Sequence, residues 1–162
     1  MTQLSLRAPA NLVSPRAKVY WIVRALTGWL VVGVVELIAC LASGVSIASV
    51  VVLIVTALLA TGHLIVMPQW RYRVHRWEAS TTAVYTQSGW FSQERRIAPV
   101  ARIQTVDTQR GPFEQIFGLA NVTITTASAA GPLKIHGLDR DVADSLVEDL
   151  TVRTQAAGGD AT

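Results

Sequence analysis

Five acids stand within a short stretch near the end of the chain, Asp139, Asp141, Asp144, Glu148 and Asp149. Paired carboxylates can run general acid–base chemistry when two share a site and one keeps its proton. Here Val142, Ala143, Leu146, Val147 and Leu150 are interleaved with them at helical spacing, so the acids spread over the solvated face of an amphipathic helix. The histidines His63, His75 and His136 are scattered, and none lies i, i+4 from another ligand, as a metal site on a helix would require. Cys40 is the single cysteine, which leaves neither an internal disulfide nor a companion thiolate for zinc. The run Leu37-Ile38-Ala39-Cys40 resembles a lipobox, but Glu36 breaks the apolar stretch before it and a second apolar run follows at once. No nucleophile elbow or phosphate loop occurs. The sequence therefore predicts no catalytic residue, cofactor or metal ligand, and a chain that is not an enzyme. Two polar features stay open: Glu36, set deep in apolar sequence, and the doublet Arg95-Arg96.

The elements that must position these residues follow from charge. Of 162 residues 51% are apolar, yet between Ala25 and Met67 only Glu36 and His63 can carry charge near neutrality. Residues 71–162 hold ten Lys or Arg and ten Asp or Glu, so the formal +3 is Arg7, Arg16, Lys18 and Arg24 less Glu36. A nucleic-acid binder gathers positive charge on its folded domain to displace counterions. Here the excess gathers beside an apolar run, which points to a lipid bilayer and away from nucleic acid.

The runs Ala25–Ala42 and Val45–Met67 each approach the ~20 residues that a helix needs to cross hydrocarbon. Only Ser43 and Gly44 separate them, so a tight helical hairpin is expected. A soluble domain this small could not cover two helices that are apolar all round. Basic residues flank the outer ends (Arg7, Arg16, Lys18 and Arg24; Arg71, Arg73 and Arg76) and the connecting turn has none. The positive-inside bias then puts both termini in the cytoplasm, in a multi-pass protein of the cell membrane. Tyr20 and Trp21 at one end, and Trp70 and Tyr72 at the other, suit the headgroup layer, so Trp21, Trp70 and Tyr72 are expected as interface anchors. Pro68 is expected to stop the second span. Glu36 lies about 16 Å into the first span, at a depth where the second offers Ser49, Leu53 and Thr56 but not His63. An acid at that depth is a candidate intramembrane contact or a hydrogen-bonded resident of the helix pair.

After Trp70 the pattern changes to short strands: Arg71–Glu78, Ala83–Gln87, a Ser88-Gly89 turn, Trp90–Ala98, and Arg102–Gln109 as far as the Gly111-Pro112 breaker. Phe113, Ile116 and Phe117 fall at i, i+3 and i+4, one helical turn expected to plug a core. Ala120, Val122 and Ile124 alternate with Asn121, Thr123 and Thr125 in a half-buried strand. Asn121-Val122-Thr123 fits a glycosylation sequon, which a cytoplasmic strand makes accidental. Leu133–Gly137 is a sixth strand, and Asp139 is expected to cap the final helix. The boundaries so read are a cytoplasmic segment 1–20, a hairpin 21–68 with spans about 22–42 and 45–67, a β-rich module 70–154 and a disordered tail 155–162.

The runs Arg95-Arg96-Ile97-Ala98-Pro99, Arg102-Ile103-Gln104-Thr105-Val106-Asp107, Gly111-Pro112 and Phe117-Gly118-Leu119-Ala120 closely resemble the bacterial pleckstrin-homology (PH) domain family of the YdbS type. The resemblance covers essentially the whole chain. It implies an α+β membrane protein: a two-helix transmembrane hairpin followed by a PH-like bent antiparallel barrel capped by a C-terminal helix. It also implies a non-enzymatic module, often associated with a second PH-domain membrane protein. Phosphoinositide binders of the wider fold set cations in the loop between the first two strands. That loop here is Ala79-Ser80-Thr81-Thr82, so this recognition is not expected. Arg95 and Arg96, joined by Arg102 and Arg110, are either solvated charges at strand ends or a basic edge that meets anionic headgroups or an acidic partner. The expected function is a membrane-anchored scaffold that recruits a protein partner, as a homo- or hetero-oligomer. The alternative is an accessory subunit of a membrane transport or envelope-stress complex, with Glu36 in the contact.

Overall fold

A computed structural model describes residues 8–129 and 131–159, which excludes Arg7 and Ala130. The chain divides into two compact units, residues 18–70 and residues 1–17 with 71–162.

The first unit is the helical hairpin, carried by α1 (Arg16–Ser43) and α2 (Ile47–Val74). Both are long and apolar enough to cross a membrane, and the chain covers little of either apolar stretch, as lipid-facing helices require. Between them Gly44 turns the backbone at φ 86°. Ser46 then caps α2, its Oγ accepting from the Ser49 N–H at 3.2 Å. Pro68 does not stop α2, which continues through it to Val74. The lost N–H removes one helical bond, but Arg71 and Arg73 lie in the last turn, where cations favour the negative end of the helix dipole. Residues 71–74 are therefore helical, not the start of a strand. Tyr72 and Val74 alternate with arginines, but four residues with period two fit a helix end equally well.

The second unit holds two antiparallel sheets. One has the order β1 (Asn11–Leu12), β2 (Arg76–Ala79), β3 (Ala83–Gly89), β4 (Gln93–Pro99). The other runs β5 (Ile103–Gln109), β6 (Leu119–Thr126), β7 (Leu133–Asp139), with the short helix α3 (Pro112–Ile116) between β5 and β6. Helix α4 (Arg140–Gly159) closes the unit. The sheets bend around one core without closing into a full barrel. Val84, Leu119, Val122, Ile124, Leu138 and Leu150 are fully buried there. The stripe on α4 meets the core through Ala143, Leu146 and Leu150, while Val142 is 41% exposed.

Several local expectations change. The β3–β4 register runs as far as Gly89 opposite Gln93, so Trp90 and Phe91 belong to the turn and not to a strand. Gly89 has φ 130°, and a Cβ there would meet the Ser92 carbonyl, which requires glycine at this position. Helix α3 forms but buries none of its residues: Phe113 is 51% and Ile116 75% exposed. The core is already filled by β6, β7 and α4, so α3 is not a plug. Asp139 ends β7 and accepts from Ser14 Oγ at 2.8 Å instead of capping α4. Helix α4 extends to Gly159, so residues 155–159 are helical, not disordered, and 160–162 lie outside the described residues.

In the sequence, residues 1–20 read only as a cytoplasmic segment with no element of its own. It forms β1, with Asn11 opposite Trp77 and Leu12 opposite Arg76. The Val13 and Ser14 N–H groups then donate to the carbonyls of His75 and Gly137. Ser14 Oγ also accepts from the Arg16 N–H at 3.2 Å, so Ser14-Pro15 starts α1 as an N-cap with proline at N1.

Candidate functional site

Along the hairpin, one seam joins polar side chains of the two helices, while Thr27 and Thr61 bond their own backbone carbonyls instead. Trp29, Gly33, Glu36 and Cys40 on α1, and Ser49, Leu53, Thr56, Ala60 and His63 on α2, follow the four-three spacing that keeps a stripe facing an antiparallel partner. Trp29 Nε1 donates to His63 Nδ1 at 2.9 Å, with the two rings edge to face. One heptad along each helix, Thr56 Oγ1 donates to Glu36 Oε1 at 2.8 Å. Beyond these, Cys40 Sγ donates to Ser49 Oγ at 3.4 Å. Of the groups expected at its depth, Thr56 is the one that meets Glu36. Glu36 Oε2 is buried and has no hydrogen-bond partner among the described residues. An enclosed carboxylate oxygen without a donor is costly in a low dielectric, which sets Glu36 apart from the satisfied pairs on either side.

Of the expected anchors, Trp21 is buried, Trp70 is 50% exposed and Tyr72 is half-buried.

In the β-rich unit the four arginines do not form one edge. Arg96 bridges the two sheets: Nη1 donates to the Pro132 carbonyl at 2.6 Å and Nη2 to that of Gly131 at 3.2 Å, with Nε 3.4 Å from Glu94. Arg95 is exposed beside it, over a recess of about 200 Å³ lined also by Ile97, Thr126, Ser128 and Leu133. Arg102, just ahead of β5 in the other sheet, accepts through its carbonyl from the Ala127 N–H, between Thr126 and Ser128 of that lining. Arg110 lies beyond the far end of β5, on the order of 25 Å from Arg102 along an extended strand. Arg95 and Arg96 thus share one recess, the Arg102 backbone joins the Ala127 stretch next to it, and Arg110 lies at the other end of β5.

The Ala79–Thr82 loop is held by its own hydroxyl, Ser80 Oγ accepting from the Ala83 N–H at 3.0 Å. Arg153 reaches the base of this loop but donates to the Ser80 carbonyl at 2.7 Å and pairs with Asp149 at 2.7 Å. Of the remaining α4 acids, Asp144 pairs with Arg140 at 3.6 Å. No group of three His, Cys, Asp or Glu among the described residues could hold a metal ion. The Asn121 amide serves the fold at both ends: Oδ1 accepts from the Gly137 N–H at 3.0 Å and Nδ2 donates to Glu114 at 3.3 Å. Those bonds coincide with the irregular register between β6 and β7.

His75 is the titratable group that the fold perturbs most clearly. Burial, then the neighbouring Arg71 cation and more weakly His136, lower its pKa from 6.5 to about 4, against an opposing hydrogen bond to the Arg71 carbonyl. Its Nδ1 donates to that carbonyl at 2.8 Å, and Nε2 accepts from Arg71 Nε at 3.5 Å. The ring is neutral near pH 7 and locks the end of α2 to the start of β2.

Comparison with known proteins agrees with this architecture. The chain is 35% identical over 86 residues to UPF0699 transmembrane protein YdbS of Bacillus subtilis (strain 168). That match covers 53% of this chain and 53% of the relative, so it spans about half the length of the curated relative. No solved structure matches. The family model described as Bacterial PH domain matches residues 26–153, from inside α1 to the last turns of α4. With most of the hairpin and strands β2 to β7 inside that match, the chain belongs to the bacterial PH domain family.

Proposed function

We propose that the protein is a membrane-anchored, non-enzymatic scaffold whose PH-like module lies on the cytoplasmic face and recruits a protein partner. The observation that carries this reading is the insertion of the hairpin into the module. Residues 11–14 bond to residues 75–77, 137 and 139, so the chain leaves the module at Ala17 and returns to it at Arg71. Both ends of the hairpin then face the same side of any membrane that it crosses. The basic residues beside those ends, set against a turn without charge, support the cytoplasm as that side.

The contact surface in this reading is the recess under Arg95. Arg96 is engaged by backbone carbonyls, so the two arginines separate by experiment. Arg95→Glu in the full chain should reduce crosslinking to partners in intact cells while leaving the module folded. Unchanged capture by this variant would remove Arg95 from the contact. A tag at either terminus that is reached from outside unbroken cells would overturn the orientation.

A second reading, the accessory subunit of a membrane transport or envelope-stress complex, draws on Glu36 Oε2 and its missing donor. Glu36→Gln should leave insertion intact; loss of a larger assembly on native gels would favour this reading, and an unchanged assembly would remove it.

A further inference from the structure

Helix α3 is anomalous in a small domain: it is built from large apolar residues and contributes none of them to the core. Phe113 and Ile116 point outward, and Pro112 and Gln115 beside them are also exposed. Its one acid is turned inward, Glu114 Oε1 accepting from Asn121 Nδ2 at 3.3 Å. Arg110, at the head of the helix, is exposed, and its carbonyl accepts from Gln115 Nε2 at 3.3 Å. The outward face therefore presents Phe113 and Ile116, with Gln115 between them, Arg110 at the rim and Glu114 bonded to Asn121.

The place of α3 in the module is equally specific. Gly118, which follows its last turn at φ 65°, lies under Arg16: a Cβ on Gly118 would stand 3.1 Å from Arg16 Nη1. Arg16 also lies 3.8 Å from Asp139, and the Arg140 N–H donates to the Gly118 carbonyl. Arg16 is the first residue of α1, whose apolar run begins at Ala25, about 13 Å further along a helix. The exposed apolar turn thus sits at the point where the chain leaves the module for its first membrane span.

We propose that α3 is an interfacial foot that rests on an anionic bilayer surface, with Phe113 and Ile116 in the headgroup layer and Arg110 and Arg16 on lipid phosphates. The occupant is lipid because the chain's own helices hold the module at a bilayer, and because two exposed large apolar side chains with Arg110 beside them, and Glu114 engaged by Asn121, suit such a surface; Arg16 shares its charge with Asp139. Tethering makes one turn sufficient, since the encounter is intramolecular. This inference rests on the membrane anchoring of the hairpin but not on the identity of any partner.

The full chain, with Cys40→Ala, is reconstituted into bilayers containing brominated lipids and carries a fluorophore at one introduced cysteine. Ile116→Cys should be quenched clearly more than Val152→Cys, an exposed site about 18 Å along α4 from Arg140. Quenching at 116 should be greater in anionic than in neutral bilayers, and Arg110→Gln should lower the docked fraction, as a ratio, about fivefold in anionic bilayers. Equal quenching at 116 and 152 would overturn the foot. A label at 116 shielded from aqueous quencher but untouched by brominated lipid would mean that protein covers α3, and would overturn it too. Val35→Cys, in the first span, reports separately: if it escapes quenching, the anchoring itself has failed.

Discussion

The two units arrange polarity in opposite senses. In the hairpin, Glu36, Thr56, Trp29 and His63 face inward to one another while valines and leucines cover the outside. In the sheets, Leu119, Ile124 and Leu138 are enclosed and the charges lie outside. The difference shows what each solvent demands. Water drives apolar surface into a core, whereas hydrocarbon gives no such drive and leaves hydrogen bonds and packing to hold helices together. Each unit should therefore fail through a different kind of substitution.

The largest effect is expected in the module. Leu119→Ala or Ile124→Ala removes a fully buried side chain and should cost about 2–5 kcal/mol, read as loss of hydrogen-exchange protection across the sheets in the full chain. Exchange in the α1 and α2 apolar stretches should stay unchanged; if it rose equally, the two units would not be energetically distinct.

Acid should act on the same side of the comparison. Because the folded module holds the His75 pKa near 4, below the 6.5 of an exposed ring, the unfolded chain takes up a proton that the folded one refuses. Stability is then complete above pH 6.5 and falls as pH drops toward 4. Between pH 7 and 5 the loss should be about 2 kcal/mol. Chemical denaturation at the two pH values measures it, and His75→Gln should flatten the slope; an equal slope in that variant would assign it elsewhere.

Ser14→Ala removes both a helix cap and the bond to Asp139, and about 1 kcal/mol is expected. Faster proteolysis within the N-terminal segment, ahead of any cleavage in β6 or β7, is the signature. The smallest effect belongs to the seam: Thr56→Val should cost only ~0.6 kcal/mol, the usual worth of one interhelical bond in a membrane. Steric-trap unfolding in bicelles can resolve it, and a loss as large as that of Leu119→Ala would sink the contrast between the units.

Much of this was readable from residue order. Continuous apolar runs fixed two helices, and the alternation in Ala120–Thr125 fixed β6, because burial on one or all sides writes itself into spacing. The seam was half visible: depth offered Ser49, Leu53 and Thr56 to Glu36, but which of them meets it depends on the face that α1 turns to α2. Strand β1 could not be seen, since two residues carry no periodicity and are ordered only by a partner far away in sequence. Phe113 and Ile116 misled because one apolar helical turn looks the same whether it meets a core or a surface. Arg96 read as either a solvated charge or part of a basic edge; its task, joining the two sheets through Gly131 and Pro132, exists only once the β6–β7 turn is brought beside β4.

The pairing of Asn11 with Trp77 imposes an order of events on biosynthesis. The ribosome delivers Asn11 before either greasy helix, yet its mate emerges only after both have been made. Until then the leading residues must wait without a template, and the β-rich half can finish only if the translocon has returned the chain to the compartment where it began. An insertion error would thus leave the sheet one strand short, giving quality control an unfinished edge to detect.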